Sequence, residues 1–90
     1  MKVVINTCFG GFSLSEIALD VYHAKTGSDI PYWEIPRNDT TLIWIVEHLG
    51  EAAGGKDTKL KVVEIPNDVD WYIDDYDGNE TVAERHRFWG

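Results

Sequence analysis

The first 27 residues place a short strand, a glycine loop and a helix in immediate succession, and this order decides the class of fold. Residues 3–5 are three β-branched side chains in a row, which indicates a buried strand. Gly10 and Gly11 follow, and glycine permits turn conformations that are closed to other residues. Ser13 and Glu16 have the spacing of a capping box. Apolar residues then recur at helical spacing until a natural glycine stop: Leu14, Ile17, Ala18, Val21, Tyr22 and then Gly27.

A second helix is predicted in the middle of the chain. Asn38 or Asp39 is its expected N-cap, and Gly54 and Gly55 are expected to end it. Its inner stripe again has helical spacing: Leu42, Ile45, Val46, Leu49 and Ala53. The connector before it, with a proline on either side, predicts a short edge strand at residues 32–35.

The remainder of the chain has the alternation of β-strands. Strands are predicted at residues 60–65, 70–76 and 79–84, and Asp77 with Gly78 forms a typical hairpin turn. The order of elements predicts one compact domain over residues 1–90. Its expected class is α/β, of the α+β type, with a mixed sheet of four to five strands and two helices packed on one face.

Length and cysteine content limit the oligomeric state and the cellular compartment expected for this domain. A chain of 90 residues is near the lower size at which a core supports folding alone, so a homo-oligomer is expected. The single Cys8 excludes an internal disulfide framework and fits a reducing compartment. No apolar run has the length of a signal peptide or a membrane span, so the expected location is the cytoplasm, with no membrane partner.

The acidic charge belongs to one segment. The chain carries a formal net charge of −8, which argues against direct nucleic-acid binding. Eight of its sixteen acids lie between Glu64 and Glu84, where there is no Lys or Arg, and the rest of the chain balances eight acids with eight bases. This segment is either a binding face or a solvated surface. Its glycine falls too early for a calcium-binding EF-hand loop, so no metal site is expected.

The glycine loop has two interpretations. A strand, two glycines and a helix N-terminus together present free N–H groups that favour phosphate, with Ser13 and Ser15 as further donors. The loop matches neither of the established phosphate-binding glycine motifs, however, and a tight turn with Phe9 and Phe12 in the core fits equally well. Cys8 lies near the same helix N-terminus, which lowers the pKa of a thiol, so Cys8 is also a candidate nucleophile. No histidine stands at a spacing that marks it as the base.

Four blocks of the chain carry a family resemblance: residues 4–15 (VINTCFGGFSLS), 35–39 (IPRND), 60–66 (LKVVEIP) and 76–90 (YDGNETVAERHRFWG). Together they resemble a family of small proteins encoded by bacteriophages and prophages. The chain is shorter than many of these relatives between its first helix and Pro31. The resemblance implies a phage origin and action in the host cytoplasm. It implies no activity and no site residue.

A phage origin favours action against host defences, and two functions of different kinds follow. The first is a binding protein, with no catalysis and no cofactor, that sequesters a nucleotide immune signal such as a cyclic ADP-ribose variant or a cyclic oligonucleotide. The second is an acidic inhibitor that imitates nucleic acid or fills a basic groove on a host defence protein. The residues predicted to bind the nucleotide are Gly10, Gly11, Ser13, Ser15, Tyr32, Trp33, Arg37, Arg85, Arg87 and Trp89. An enzyme is the third choice, because no acid–base pair has convincing spacing.

Overall fold

The computed structural model describes residues 1–85 of the chain, and Arg87 and Trp89 of the predicted site lie outside that range. The described part contains two α-helices and four β-strands, which makes it a mixed α/β protein. The elements in chain order are β1 (Lys2–Asn6), α1 (Glu16–Thr26), α2 (Thr40–Leu49), β2 (Leu60–Glu64), β3 (Trp71–Tyr76) and β4 (Asn79–Glu84), with 3-10 helices at Tyr32–Glu34 and Gly50–Ala53.

The strands form two antiparallel pairs within residues 1–85, not the single sheet of four to five strands that the sequence predicted. β1 pairs with β2, so that Val4 lies opposite Val62. β3 pairs with β4 across the predicted turn, where Asp77 (φ 57°) and Gly78 (φ 90°) both have positive φ. Positive φ at both central residues is the requirement of a type I′ turn, whose twist matches that of the flanking strands.

A loop and a side chain close the second edge of β1, and this is why the sheet does not continue. The Val4 N–H donates to the carbonyl oxygen of Arg37 (2.8 Å). The Asn6 N–H donates to a carboxylate oxygen of Glu80 (2.8 Å). With these donors satisfied, β1 has no need of a third strand. The predicted edge strand at residues 32–35 is instead a 3-10 turn, held by a local bond from the Glu34 N–H to the Pro31 carbonyl (3.0 Å).

The hydrophobic core lies between the two helices and the β1–β2 pair. The buried residues of this core come from β1, from the two helices, from the connectors and from the second 3-10 helix: Val4, Leu14, Ala18, Tyr22, Ile35, Leu42, Ile43, Ile45, Val46 and Ala53. The partly buried Leu60 and Val62 of β2 pack against them. The predicted stripe of α2 is largely confirmed. In α1, Ile17 is 63% exposed and does not belong to the buried stripe.

The helix caps confirm the predictions at Asp39 and Gly27 and correct two others, since α2 ends at Leu49 with Gly50 as its C-cap and not at Gly54 and Gly55. Asp39 caps α2, because one of its carboxylate oxygens accepts from the N–H groups of Thr41 (2.9 Å) and Leu42 (3.0 Å). Helix α1 begins two residues later than expected, with Ser15 as its N-cap in place of Ser13. The neighbouring Leu14 is held in a β-bridge to Gly54, so the backbone there is extended and cannot yet turn into a helix. Gly27 ends α1 with φ 69°, as predicted.

The two helices are also joined by a polar contact. The Tyr22 hydroxyl on α1 donates to the second carboxylate oxygen of Asp39 at the start of α2 (3.0 Å). Burial, together with this hydrogen bond and the negative charge of the carboxylate, raises the pKa of the Tyr22 phenol above its ordinary value of 10. The same carboxylate therefore caps one helix and anchors the other.

Candidate functional site

The glycine loop is a packing junction between three segments. A Cβ atom added to Gly10 would clash with the backbone of Asp57, and one added to Gly78 would lie 2.7 Å from the backbone nitrogen of Gly11. The Thr58 hydroxyl donates to the carbonyl oxygen of Gly11 (2.7 Å). The loop is therefore covered by the 57–58 segment on one side and by the hairpin turn on the other, and this close approach requires glycine.

The two predicted serine donors make hydrogen bonds within the protein. The Ser13 hydroxyl lies 2.7 Å from that of Thr58. The Ser15 hydroxyl donates to the Ala52 carbonyl (2.6 Å) and accepts from the Ala18 N–H (3.1 Å), which is its capping bond. Both hydroxyls thus have structural roles at the junction and at the start of α1.

Arg37 forms a buried ion pair with Glu80. Its two terminal nitrogens donate to the two carboxylate oxygens, at 2.6 Å and 2.9 Å, a bidentate arrangement. One of these nitrogens also lies 3.3 Å from the Val4 carbonyl, and the Phe12 ring lies under the guanidinium with 3.7 Å between the ring centroid and Cζ. The Glu80 residue is only 5% exposed. The positive charge of Arg37 is consequently neutralised within the protein.

Asn6 completes this buried polar cluster. Its side-chain nitrogen donates to the carbonyls of Cys8 (2.6 Å) and Gly78 (2.7 Å). Its side-chain oxygen accepts from the N–H groups of Cys8 (3.1 Å) and Lys59 (2.9 Å). Asn6 is fully buried, and all four of its side-chain bonding positions are filled. The cluster therefore fixes the hairpin turn to the end of β1 without leaving a free polar group.

The aromatic residues beside Arg37 form a continuous series. The rings of Phe12 and Tyr32 are 6.2 Å apart, and those of Tyr32 and Trp33 are 5.1 Å apart in an edge-to-face arrangement. Trp33 is 71% exposed at the end of the series. The structure thus brings together Tyr32, Trp33 and Arg37 of the predicted site, next to the glycine loop.

Arg85 lies elsewhere. Its N–H donates to the Asp70 carbonyl (2.8 Å), its Nε lies 3.3 Å from the Asp70 carboxylate, and its guanidinium lies over Tyr72 at 5.0 Å from the ring centroid. Five residues of extended chain separate Arg85 from Glu80, about 17 Å at the usual rise of a strand. Arg37 and Arg85 therefore belong to different ends of β4 and do not form one phosphate clamp.

One face of the β3–β4 hairpin combines aromatic and acidic side chains. Side chains alternate between the two faces of a strand, so Tyr72, Asp74 and Tyr76 share a face opposite to the one that carries Glu80. All three are exposed, and Tyr76 is 79% exposed. We call these three residues the acidic–aromatic face. Further exposed acids lie elsewhere on the hairpin and in its flanking segments: Asp68, Asp70, Asp75, Asp77 and Glu84.

A separate shallow depression of about 330 Å³ lies between the helices, lined by Lys25, Thr40, Thr41 and Trp44. Lys25 Nζ lies 3.9 Å from the centroid of the Trp44 ring, and the His48 ring stacks on the same indole at 4.1 Å. These two contacts occupy part of the indole surface, and Trp44 remains 39% exposed.

Within residues 1–85, the structure bonds no histidine to Cys8 and brings together no set of metal ligands. The His23 ring is hydrogen-bonded to the Ile30 carbonyl and the His48 ring to the Trp44 carbonyl, so neither is bonded to Cys8. That range contains no cluster of three or more acidic, histidine or cysteine side chains placed to hold a metal ion. Among the described helices, none is long and apolar enough to cross a membrane.

Comparison with protein-family models, with curated proteins and with solved structures gives no match for this chain. The main residue that sequence reasoning missed is Glu80, which was counted among the surface acids. A signal existed: Glu80 and Val82 are two residues apart on β4, so an inward Val82 implies an inward Glu80. Nothing in the sequence pointed to Arg37 as its partner, since 43 residues separate the two.

Proposed function

We propose that this protein is a non-catalytic binding protein whose acidic–aromatic face docks on a basic surface of another protein. The observation that supports the proposal is the exposure of Tyr72 and Tyr76 on the same strand face as Asp74. Aromatic side chains supply most of the binding energy of protein interfaces when they enter pockets. Exposed tyrosines on a hydrogen-bonded hairpin are suited to this role.

The charge of the hairpin defines the chemistry of the partner. Six exposed acids lie between residues 68 and 84, and the adjacent Arg85 is the single base of the hairpin among the described residues. Arg37 contributes no compensating charge to the surface because it is paired with Glu80. Such a surface attracts Lys- and Arg-rich grooves and speeds association with them. With the phage resemblance, the proposed partner is a host defence protein, bound in the cytoplasm of the infected cell.

The nucleotide-binding function remains a second candidate, supported by the series Phe12, Tyr32 and Trp33. An exposed indole beside a second ring offers a surface on which a base stacks. The phosphate end of such a site is weaker, since Arg37 is neutralised and the Ser13 and Ser15 hydroxyls are bonded internally. The expected homo-oligomer suits this candidate, because a pocket at a subunit boundary can be deeper than one that a chain of 90 residues forms alone. Light scattering at high micromolar concentration tests it.

A charge-matched pair of variants tests the first function. Asp74→Asn with Asp75→Asn removes two charges from the hairpin, and Asp20→Asn with Asp29→Asn removes two from exposed positions elsewhere. In a phage-protection assay in defence-bearing cells, the hairpin variant should lose protection while the control retains it. The hairpin variant should also lose retention of the partner on immobilised protein.

A second experiment, read together with the protection assay, separates the two functions. The wild-type protein is incubated with infected extract, heated, and the released small molecules are identified by mass spectrometry. A released nucleotide, with full protection by the hairpin variant, would contradict the docking function and favour the nucleotide function. Equal loss of protection by both charge variants would show that only net charge matters.

A further inference from the structure

The hydrogen-bonding pattern of the hairpin determines which backbone groups of β3 are free. In an antiparallel pair, every second residue exchanges both hydrogen bonds with its partner, and the residues between point away. The bond from the Arg85 N–H to the Asp70 carbonyl indicates that residues 70, 72, 74 and 76 are the ones that exchange hydrogen bonds with the opposite strand of the hairpin. The N–H and C=O groups of Trp71, Ile73 and Asp75 therefore point to the outer edge of β3.

This outer edge is unpaired within residues 1–85. β4 lies beside β1, and β3 is the strand on the far side of the hairpin. No backbone or side-chain group of the described residues forms a hydrogen bond with the N–H or C=O of Trp71, Ile73 or Asp75 beyond the β3–β4 pairing. An unpaired edge of this kind is a template for another strand unless something prevents the pairing.

Acidic side chains select what can pair there. A second copy added antiparallel to the same edge and centred on Asp74 would set the two Asp74 side chains directly opposite each other, and like charges directly opposite on neighbouring strands repel. A strand that carries Lys or Arg would instead meet opposite charge. We infer that β3 binds an extended basic segment of the partner protein as an added antiparallel strand. This inference rests on the proposed docking function and specifies how the partner is held.

The two faces of β3 predict the pattern of that segment. Residues directly opposite each other in an antiparallel pair share a face. Segment residues opposite Trp71 and Ile73 should be apolar, and those opposite Tyr72, Asp74 and Tyr76 should be basic, since a cation is attracted both by a carboxylate and by an aromatic ring. The N–H groups that reach β3 belong to the apolar residues of the segment, because these stand opposite the outward-pointing residues of β3.

A peptide with N-methyl groups along one side of its backbone tests this arrangement. The parent probe is an eight-residue peptide of alternating arginine and valine with capped termini. Its binding to the full chain is measured by fluorescence anisotropy at low salt. One derivative carries N-methyl groups on its valines, and the matched control carries the same number on its arginines. We expect the valine-methylated peptide to bind at least tenfold more weakly than the parent, and the arginine-methylated peptide to bind within about twofold of it.

Four results would overturn the inference. Equal binding of all three peptides would mean that charge alone holds them, and loss confined to the arginine-methylated peptide would mean a parallel strand. The variant Ile73→Pro removes one outward N–H at an edge position, where proline is tolerated. If Ile73→Pro retains the protein partner while Asp74→Asn with Asp75→Asn loses it, the docking function stands and strand addition is wrong. A dimer that Ile73→Pro abolishes would place a second copy on the edge and also overturn the inference.

Discussion

Removal of the Glu80 carboxylate should destabilise this protein more than the loss of any exposed acid. The change Glu80→Ala deletes both hydrogen bonds to Arg37 and the acceptor of the Asn6 N–H. It leaves a guanidinium that is mostly covered, with a side-chain exposure of 21%, and a buried N–H without a partner. Each of these is a recognised source of large destabilisation.

The expected loss of stability follows from the unpaired guanidinium and the unsatisfied N–H. Loss of one partner from a buried ion pair costs about 3–5 kcal/mol of unfolding free energy, and the partial exposure of Arg37 places the effect at the lower end. An unsatisfied buried N–H adds about 1 kcal/mol or more. We expect a total loss of about 4 kcal/mol, which is a large part of the 5–15 kcal/mol typical of a whole domain. Glu80→Gln retains an acceptor for Asn6 and should lose about half as much.

Glu47→Ala is the matched control. Glu47 forms an ion pair with Lys2 at 2.7 Å, almost the same distance as the 2.6 Å between Arg37 and Glu80, but both side chains are exposed. Exposed pairs contribute little because water already solvates both charges. Urea denaturation followed by tryptophan fluorescence should therefore show a large decrease in midpoint for Glu80→Ala and almost none for Glu47→Ala.

The comparison can refute the reasoning directly. If the two alanine variants lose the same stability, burial of the pair is not what matters and the polar cluster does not hold the hairpin. Hydrogen exchange adds a local test, because loss of the cluster should release the hairpin first. Amides of β3 and β4 should then exchange faster than those of α2.

Three further outcomes are expected. Ser15→Ala should cost about 1 kcal/mol through loss of the N-cap of α1, and Ser13→Ala should cost less, which urea denaturation with circular dichroism will measure. Gly78→Ala should lower the melting temperature far more than Gly27→Ala, because both positions have positive φ but only the former has no room for a Cβ. The raised pKa of Tyr22 means that its contribution is fully present below pH 10 and is lost as the pH rises through the folded value. Tyr22→Phe should remove that alkaline decrease in a pH series of denaturation curves.

Local patterns in the sequence were sufficient for most of the secondary structure. The run of β-branched residues in β1, the spacing in α2, the cap at Asp39 and the turn at Asp77 with Gly78 all act within a few residues. Each has a local physical cause, such as a side-chain acceptor near free N–H groups or a residue that tolerates positive φ. These features are therefore readable without knowledge of the partner segments.

The failures have the opposite character, since each depends on a contact with a distant residue. Ser13 does not cap α1 because Thr58 binds its hydroxyl, and Leu14 is held by Gly54. The predicted site was divided for the same reason, because the Glu80 carboxylate pairs with Arg37 and neutralises its positive charge. A hydroxyl or a guanidinium bonds with whichever partner the fold brings close, and sequence spacing does not encode that choice.

The sequence by itself determined that the chain is a mixed α/β protein with a glycine-loop start and an acidic final hairpin. Only the tertiary structure decided how these parts meet. It closed the edge of β1 with Arg37 and Glu80, which divided the expected single sheet into two pairs, and it turned the acids of β3 to solvent beside two tyrosines. The reason is that strand pairing and charge pairing are satisfied across long distances in sequence, whereas turns, caps and periodicity are satisfied locally.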